Sequence, residues 1–90
     1  MRSPPKRIVE NDVRLDILCC LVDGEPFTVA QLGGRLGRSL TEVRYHVKLL
    51  CSHDLIVKTG EMDGEDPLYA ATLDEHDEWV RKAVFDHRPD

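Results

Sequence analysis

Ninety residues carrying 12 Lys/Arg against 17 Asp/Glu give a formal charge of −5, and the length suits one domain near the lower end of what buries an adequate core unaided. No apolar run approaches the roughly 20 residues of a membrane span, and no charged-then-apolar leader opens the chain. The expectation is therefore a cytoplasmic protein with no membrane partner. No phosphate-binding glycine loop, nucleophile elbow or metalloprotease helix motif occurs, which argues against an enzyme.

In chain order, residues 1–10, with Arg2, Lys6, Arg7 and the pair Pro4-Pro5, read as a flexible basic arm ahead of a domain over 11–90. A first helix is expected over 11–22. It opens at Asn11 or Asp12, carries Val13, Ile17, Leu18 and Leu21 on one face, and stops at Asp23-Gly24. Cys19 and Cys20 fall among those apolar residues and read as reduced, packed thiols. With Cys51 they lack the regular spacing of a disulfide framework.

A second helix is expected over 28–36. Thr28 and Gln31 form a capping box, Phe27 is placed to staple onto Leu32, and Val29, Leu32 and Leu36 repeat at helical spacing before Gly37 ends the run. A third follows over 39–52. Ser39 and Glu42 suggest a second capping box, and Leu40, Val43, Val47 and Leu50 form the apolar stripe. Two capped helices joined by so short a glycine-containing turn form a helix-turn-helix unit.

Leu55-Ile56-Val57 and Leu68 to Ala71 are strand-like runs, with Gly60, Asp63, Gly64 and Pro67 breaking the chain between them. They read as a two-stranded hairpin over 55–71 with a mobile tip, a wing. A last helix is expected over 74–87. The fold class is thus mainly α with a small β-hairpin, a winged helix-turn-helix.

The string Val43-Arg44-Tyr45-His46-Val47-Lys48-Leu49-Leu50 followed by Leu55-Ile56 resembles the recognition-helix region of the arsenic-repressor-type (ArsR-like) bacterial regulators, and the resemblance extends over roughly residues 11–90. It implies a transcriptional repressor that acts as a homodimer on double-stranded DNA. The recognition helices would enter successive major grooves, and the outer helices would make the dimer contact. The cysteine pair that some relatives carry in the helix-turn-helix for arsenic or lead is absent here.

Charge is unevenly distributed. Residues 1–58 hold nine basic and seven acidic side chains, whereas residues 59–90 hold three and ten. The segment facing DNA would be mildly basic, while Glu61, Asp63, Glu65 and Asp66 make the wing tip repel phosphate. On the recognition helix, the residues turned away from the apolar stripe are Thr41, Tyr45 and Lys48, flanked by Glu42 and Arg44. Arg44 suits paired hydrogen bonds to guanine, and Thr41 or Tyr45 can reach bases or phosphate oxygens. Arg38, Lys48 and Lys58 suit phosphates, and Ser39 caps the helix beside them. His46, at the margin of the stripe, reads as structural. The alternative is an acidic winged-helix module that binds protein and no DNA. It gains from the net charge and the acidic wing, but leaves the alignment of Arg38, Arg44 and Lys48 unexplained.

The last helix carries Asp74, His76, His87 and Asp90, residue types that ligate zinc. Relatives of the resembled family sense zinc through a last-helix site of this spacing, whose fourth ligand is His or Glu where Asp90 stands here. His76 and His87 would lie about 16 Å apart along one helix, so one chain cannot close the site. Two antiparallel copies can, across a dimer axis near Val80 and Ala83, with Trp79 on the same face. The simpler reading of that face is an amphipathic dimer seam that binds no metal.

Overall fold

The computed structural model describes residues 6–23, 26–73 and 78–87. Their elements are α1 (Lys6–Val9), α2 (Asp12–Asp23), α3 (Val29–Leu36), α4 (Leu40–Ser52), β1 (Ile56–Asp63), β2 (Asp66–Ala71) and α5 (Glu78–His87). The winged helix-turn-helix order expected from the sequence is the order observed.

Asn11 starts α2: its side-chain oxygen accepts from the amides of Val13 at 3.0 Å and Arg14 at 3.2 Å, two of the donors a helix start leaves unpaired. The helix then presents Val13, Ile17, Leu18 and Leu21 to the core, where Leu32, Val43, Val47, Leu50, Leu55 and Ile56 meet them from α3, α4 and the start of the hairpin. α2 is the central post, in contact with α1, α3, α4, β2 and α5.

The expected flexible arm over 1–10 departs from the structure at its inner end. Lys6–Val9 forms a turn of helix, and Val9 is fully buried. The basic residues conceal an apolar pair, Ile8-Val9, whose burial favours order here. Residues 1–5 lie outside the described residues.

The hairpin is also more regular than its breakers suggest. β1 and β2 pair antiparallel from Ile56 opposite Ala71 to Asp63 opposite Asp66, with an irregularity between Lys58 and Met62. Gly60 sits inside that irregularity at φ 90°, a conformation open to glycine, so it bulges the strand instead of ending it. Only Gly64 and Glu65 remain as loop.

α5 lies along α2, with Val80 and Val84 buried in the same core, and the Cys19 thiol donates to the Val84 carbonyl at 3.3 Å. Val80, expected near a dimer axis, therefore faces its own chain. The apolar residue that α5 exposes is Phe85, at 68%. Of the expected helix over 74–87, residues 74–77 lie outside the described residues.

Candidate nucleic-acid interface

The turn between α3 and α4 sets the site. Thr28 caps α3 reciprocally: its hydroxyl accepts the Gln31 amide at 3.1 Å while its own amide donates to the Gln31 side chain at 2.9 Å. Gly37 closes the helix in the left-handed region at φ 66°. The chain then folds back so tightly that a Cβ on Gly33 would stand 3.0 Å from the Arg38 carbonyl oxygen, and the Arg38 amide donates to Gly33 O at 3.0 Å. Glycine at position 33 is what lets α4 approach α3.

Ser39 caps α4 through the Glu42 amide at 3.2 Å, but the expected second capping box is only half formed. The Glu42 carboxylate turns instead to Arg38, 3.6 Å away, in an exposed i,i+4 ion pair. Leu40, expected within the buried stripe, is 48% exposed. It stands on the first turn of α4, and part of its side chain approaches Gly33.

The remaining stripe holds. Val43, His46, Val47 and Leu50 face inward, and Thr41, Arg44, Tyr45 and Lys48 are exposed along the opposite side, a contiguous surface at helical spacing. Tyr45 is the most exposed large apolar side chain on this helix, at 60%. Arg44 and Lys48 also line a cleft of about 200 Å³ between α4 and the wing, shared with Val29, Val47, Asp66, Pro67 and Tyr69. An acidic wing residue thus opens onto the same cleft as two candidate DNA cations. Lys58 is exposed on β1 but lines a different cleft, with Cys51, Asp54 and Thr72, so it is not gathered with Arg44 and Lys48 there. Glu61, Asp63, Glu65 and Asp66 are all exposed.

Burial moves three titrating groups near this surface. His46 is pushed below the ordinary imidazole value, by burial first and then by Arg14 and Arg38 against the opposing charge of Glu42. The Cys51 thiol is pushed up by burial, with Lys58 opposing. The Tyr69 hydroxyl is likewise pushed up, by burial and then by Cys51, with Arg44 opposing. Cys51 is therefore a poor nucleophile.

Four relationships escaped the sequence reading. Phe27 forms an antiparallel bridge with Tyr69 and lies beneath the Arg35 guanidinium, 5.1 Å from its ring centre. Its expected role was a staple onto Leu32. A lone bridge leaves no strand-length pattern to find. Arg14 joins His46 from 32 residues away, and Asp16 joins His87 from 71 residues away, at 2.7 Å from His87 Nε2. Of the proposed zinc set, His87 is described and engaged in this way, while Asp74, His76 and Asp90 lie outside the described residues. No group of three or more His, Cys, Asp or Glu suited to a metal ion occurs among the described residues. No described helix is long and apolar enough to cross a membrane.

Compared with known proteins, residues 9–59 match the family described as "helix-turn-helix domain". No curated protein matches the chain. Solved structures do. The transcriptional repressor BigR from Xylella fastidiosa is similar with TM-score 0.74 and 19% identity, over 89% of this chain and 76% of that one. The transcriptional regulator HlyU from Vibrio vulnificus gives TM-score 0.71 and 20% identity over 87% and 78%. NolR from Sinorhizobium fredii gives 0.72 and 25% over 90% and 74%.

Proposed function

The chain belongs to the helix-turn-helix domain family, and from that premise we propose that it is a sequence-specific DNA-binding transcriptional regulator, a repressor acting as a homodimer on double-stranded DNA. Its structural neighbours are transcriptional regulators, not enzymes. The observation that carries the reading is the exposed row Thr41, Arg44, Tyr45 and Lys48 on a helix whose other side is sealed in the core. Arg44 reads bases, Thr41 and Tyr45 contact bases or phosphates, and Lys48 and Lys58 hold phosphates. Arg38, already balanced by Glu42, contributes less charge than its position suggests, and Ser39 serves as the cap.

The homodimer reading rests on α5. Trp79 and Ala83 are half-buried in the single chain, Phe85 is exposed, and Phe85 lines a groove of about 430 Å³ with Leu21, Val22, Ala71, Leu73, Val84 and the charged Arg81. A zinc response through Asp74, His76, His87 and Asp90 is the conditional part of the reading. Because His87 Nε2 is held by Asp16, a metal at that nitrogen would have to displace the carboxylate.

The acidic hairpin, with Met62 exposed at 55% among its charges, favours a second reading, a protein-binding module. Anisotropy titrations of mixed genomic fragments at low and moderate salt separate the two. Retained, salt-sensitive binding supports the regulator, since phosphate contacts release counterions. No binding at low salt removes it.

A further inference from the structure

Arg14 is 8% exposed, and its described hydrogen-bond partners are three neutral acceptors instead of a carboxylate. Its Nε donates to the Ile8 carbonyl, Nη2 to the Arg7 carbonyl at 3.2 Å, and Nη1 lies 2.9 Å from His46 Nδ1. A buried guanidinium is costly unless its donors are satisfied. Guanidinium has no acceptor, so His46 Nδ1 must accept and the ring must be neutral, with its proton on Nε2. One side chain of α2 therefore joins the end of α1 to the middle of α4.

The connection continues outward. The His46 ring meets Tyr45 edge-on, with centroids 5.1 Å apart and planes at 69°, and Tyr45 stands on the exposed row. We propose that Arg14 is a positioning residue for DNA recognition: by clamping His46 it sets the recognition helix and Tyr45, and it ties α1 to the same helix. This rests on the DNA-binding reading above.

The clamp has a chemical limit. A protonated His46 would point an N–H donor at a guanidinium, two cations with no acceptor between them. The other charged groups around the ring come from the turn and α4 itself, Arg38 adding repulsion and Glu42 attraction, while α1 offers Arg14 only backbone carbonyls. Acid should thus open the clamp and weaken DNA binding. That sign is opposite to the general effect of acid, which neutralises carboxylates and strengthens phosphate binding.

The test uses the full chain and a fluorescein-labelled duplex selected from random-sequence DNA by the wild type. Arg14→Met keeps a similar stem without donors; His46→Asn offers an amide oxygen near the Nδ1 position and does not titrate. His46 is titrated by NMR in the DNA-free proteins, and duplex affinity is followed by anisotropy from about pH 7.5 to about pH 5, the range in which imidazole changes charge. Arg14→Met is expected to raise the His46 titration toward the ordinary value and to weaken neutral-pH binding about two- to thirtyfold, the range for changes acting through a connecting network. His46→Asn is expected to bind at neutral pH and lack the acid step. An unchanged His46 titration in Arg14→Met overturns the clamp, and a shifted titration with unchanged affinity overturns its role in recognition. If Arg14→Met does not fold, an acid step surviving in His46→Asn overturns the proposal on its own. A wild type that selects no duplex instead overturns the DNA-binding reading, and with it this role, whatever the NMR titration shows.

Discussion

Phe27 and Tyr69 exchange both backbone hydrogen bonds, the Phe27 amide to the Tyr69 carbonyl at 3.1 Å and the Tyr69 amide to the Phe27 carbonyl at 2.9 Å. Since Thr28, the next residue, caps α3, the base of the wing is pinned to the entrance of the helix-turn-helix. The wing and the recognition helix are thereby held in one frame, and charge on the wing bears directly on what the helix meets.

Substitution on α4 is expected to separate base reading from phosphate holding. Arg44→Ala should relax base preference at a cost of about 1–3 kcal/mol, and Lys48→Ala should weaken all sequences alike while lowering the salt slope by about 1. Competition titrations at several salt concentrations measure both. Unaltered binding by the two variants would mean that this face of α4 does not meet DNA.

Neutralising Glu61, Asp63, Glu65 and Asp66 together is expected to strengthen non-specific binding, because each removed charge lessens repulsion of phosphate. Asp66→Asn alone should have the largest single effect, as it shares a cleft with Arg44 and Lys48. Affinity for a random duplex at low salt reads the outcome, and no change in the fourfold variant would place the wing away from DNA.

Assembly should depend on α5. Phe85→Glu is expected to shift the protein toward monomer in sedimentation velocity at micromolar concentration, since burying a phenylalanine in an interface contributes about 1.5–3 kcal/mol and a carboxylate there is disfavoured. Lys82→Ala on the same exposed side is the control. A wild type that sediments as a monomer refutes the homodimer.

Zinc is tested by isothermal titration at neutral pH with the wild type and His76→Ala. Tight binding lost in the variant supports the set Asp74, His76, His87 and Asp90. Absence of tight binding by the wild type, or equal binding by the variant, leaves α5 as a plain dimer seam.

Stability should fall on mild acidification. His46 titrates below the ordinary imidazole value in the folded chain, so the unfolded chain takes up a proton first. The stability associated with neutral His46 is intact above the unfolded value of about 6.5 and is lost as pH falls from there through the lower folded value. Denaturant midpoints across this range should show a step in the wild type that His46→Asn lacks.

Local signals in the sequence were strong enough to place every long element. The arsenic-repressor-type resemblance agrees with the family match and the neighbouring folds. Thr28, Gly37 and Ser39 act within a few residues of themselves, and such short-range chemistry can be read from a string. The long-range and alternative side-chain pairings were not legible. Glu42 chose Arg38 over the helix start, Arg14 reached His46, and Asp16 reached His87. Each choice depends on how helices cross, which periodicity leaves open. Val80 shows the same gap: it was expected near a dimer axis, whereas it is buried within its own chain, where α5 packs on α2, a tertiary choice that periodicity leaves open.

The Gly60 bulge has a consequence for solubility. β2 is flanked by β1 on one side and by Phe27 on the other, so the outer margin of β1 is the hairpin's open edge, where unpaired amides and carbonyls could template stacking of further chains. The register irregularity between Lys58 and Met62 interrupts that edge, and Lys58, Glu61 and Asp63 crowd it with charge. The acidic residues predicted to weaken the wing's grip on phosphate also guard the protein against edge-to-edge aggregation.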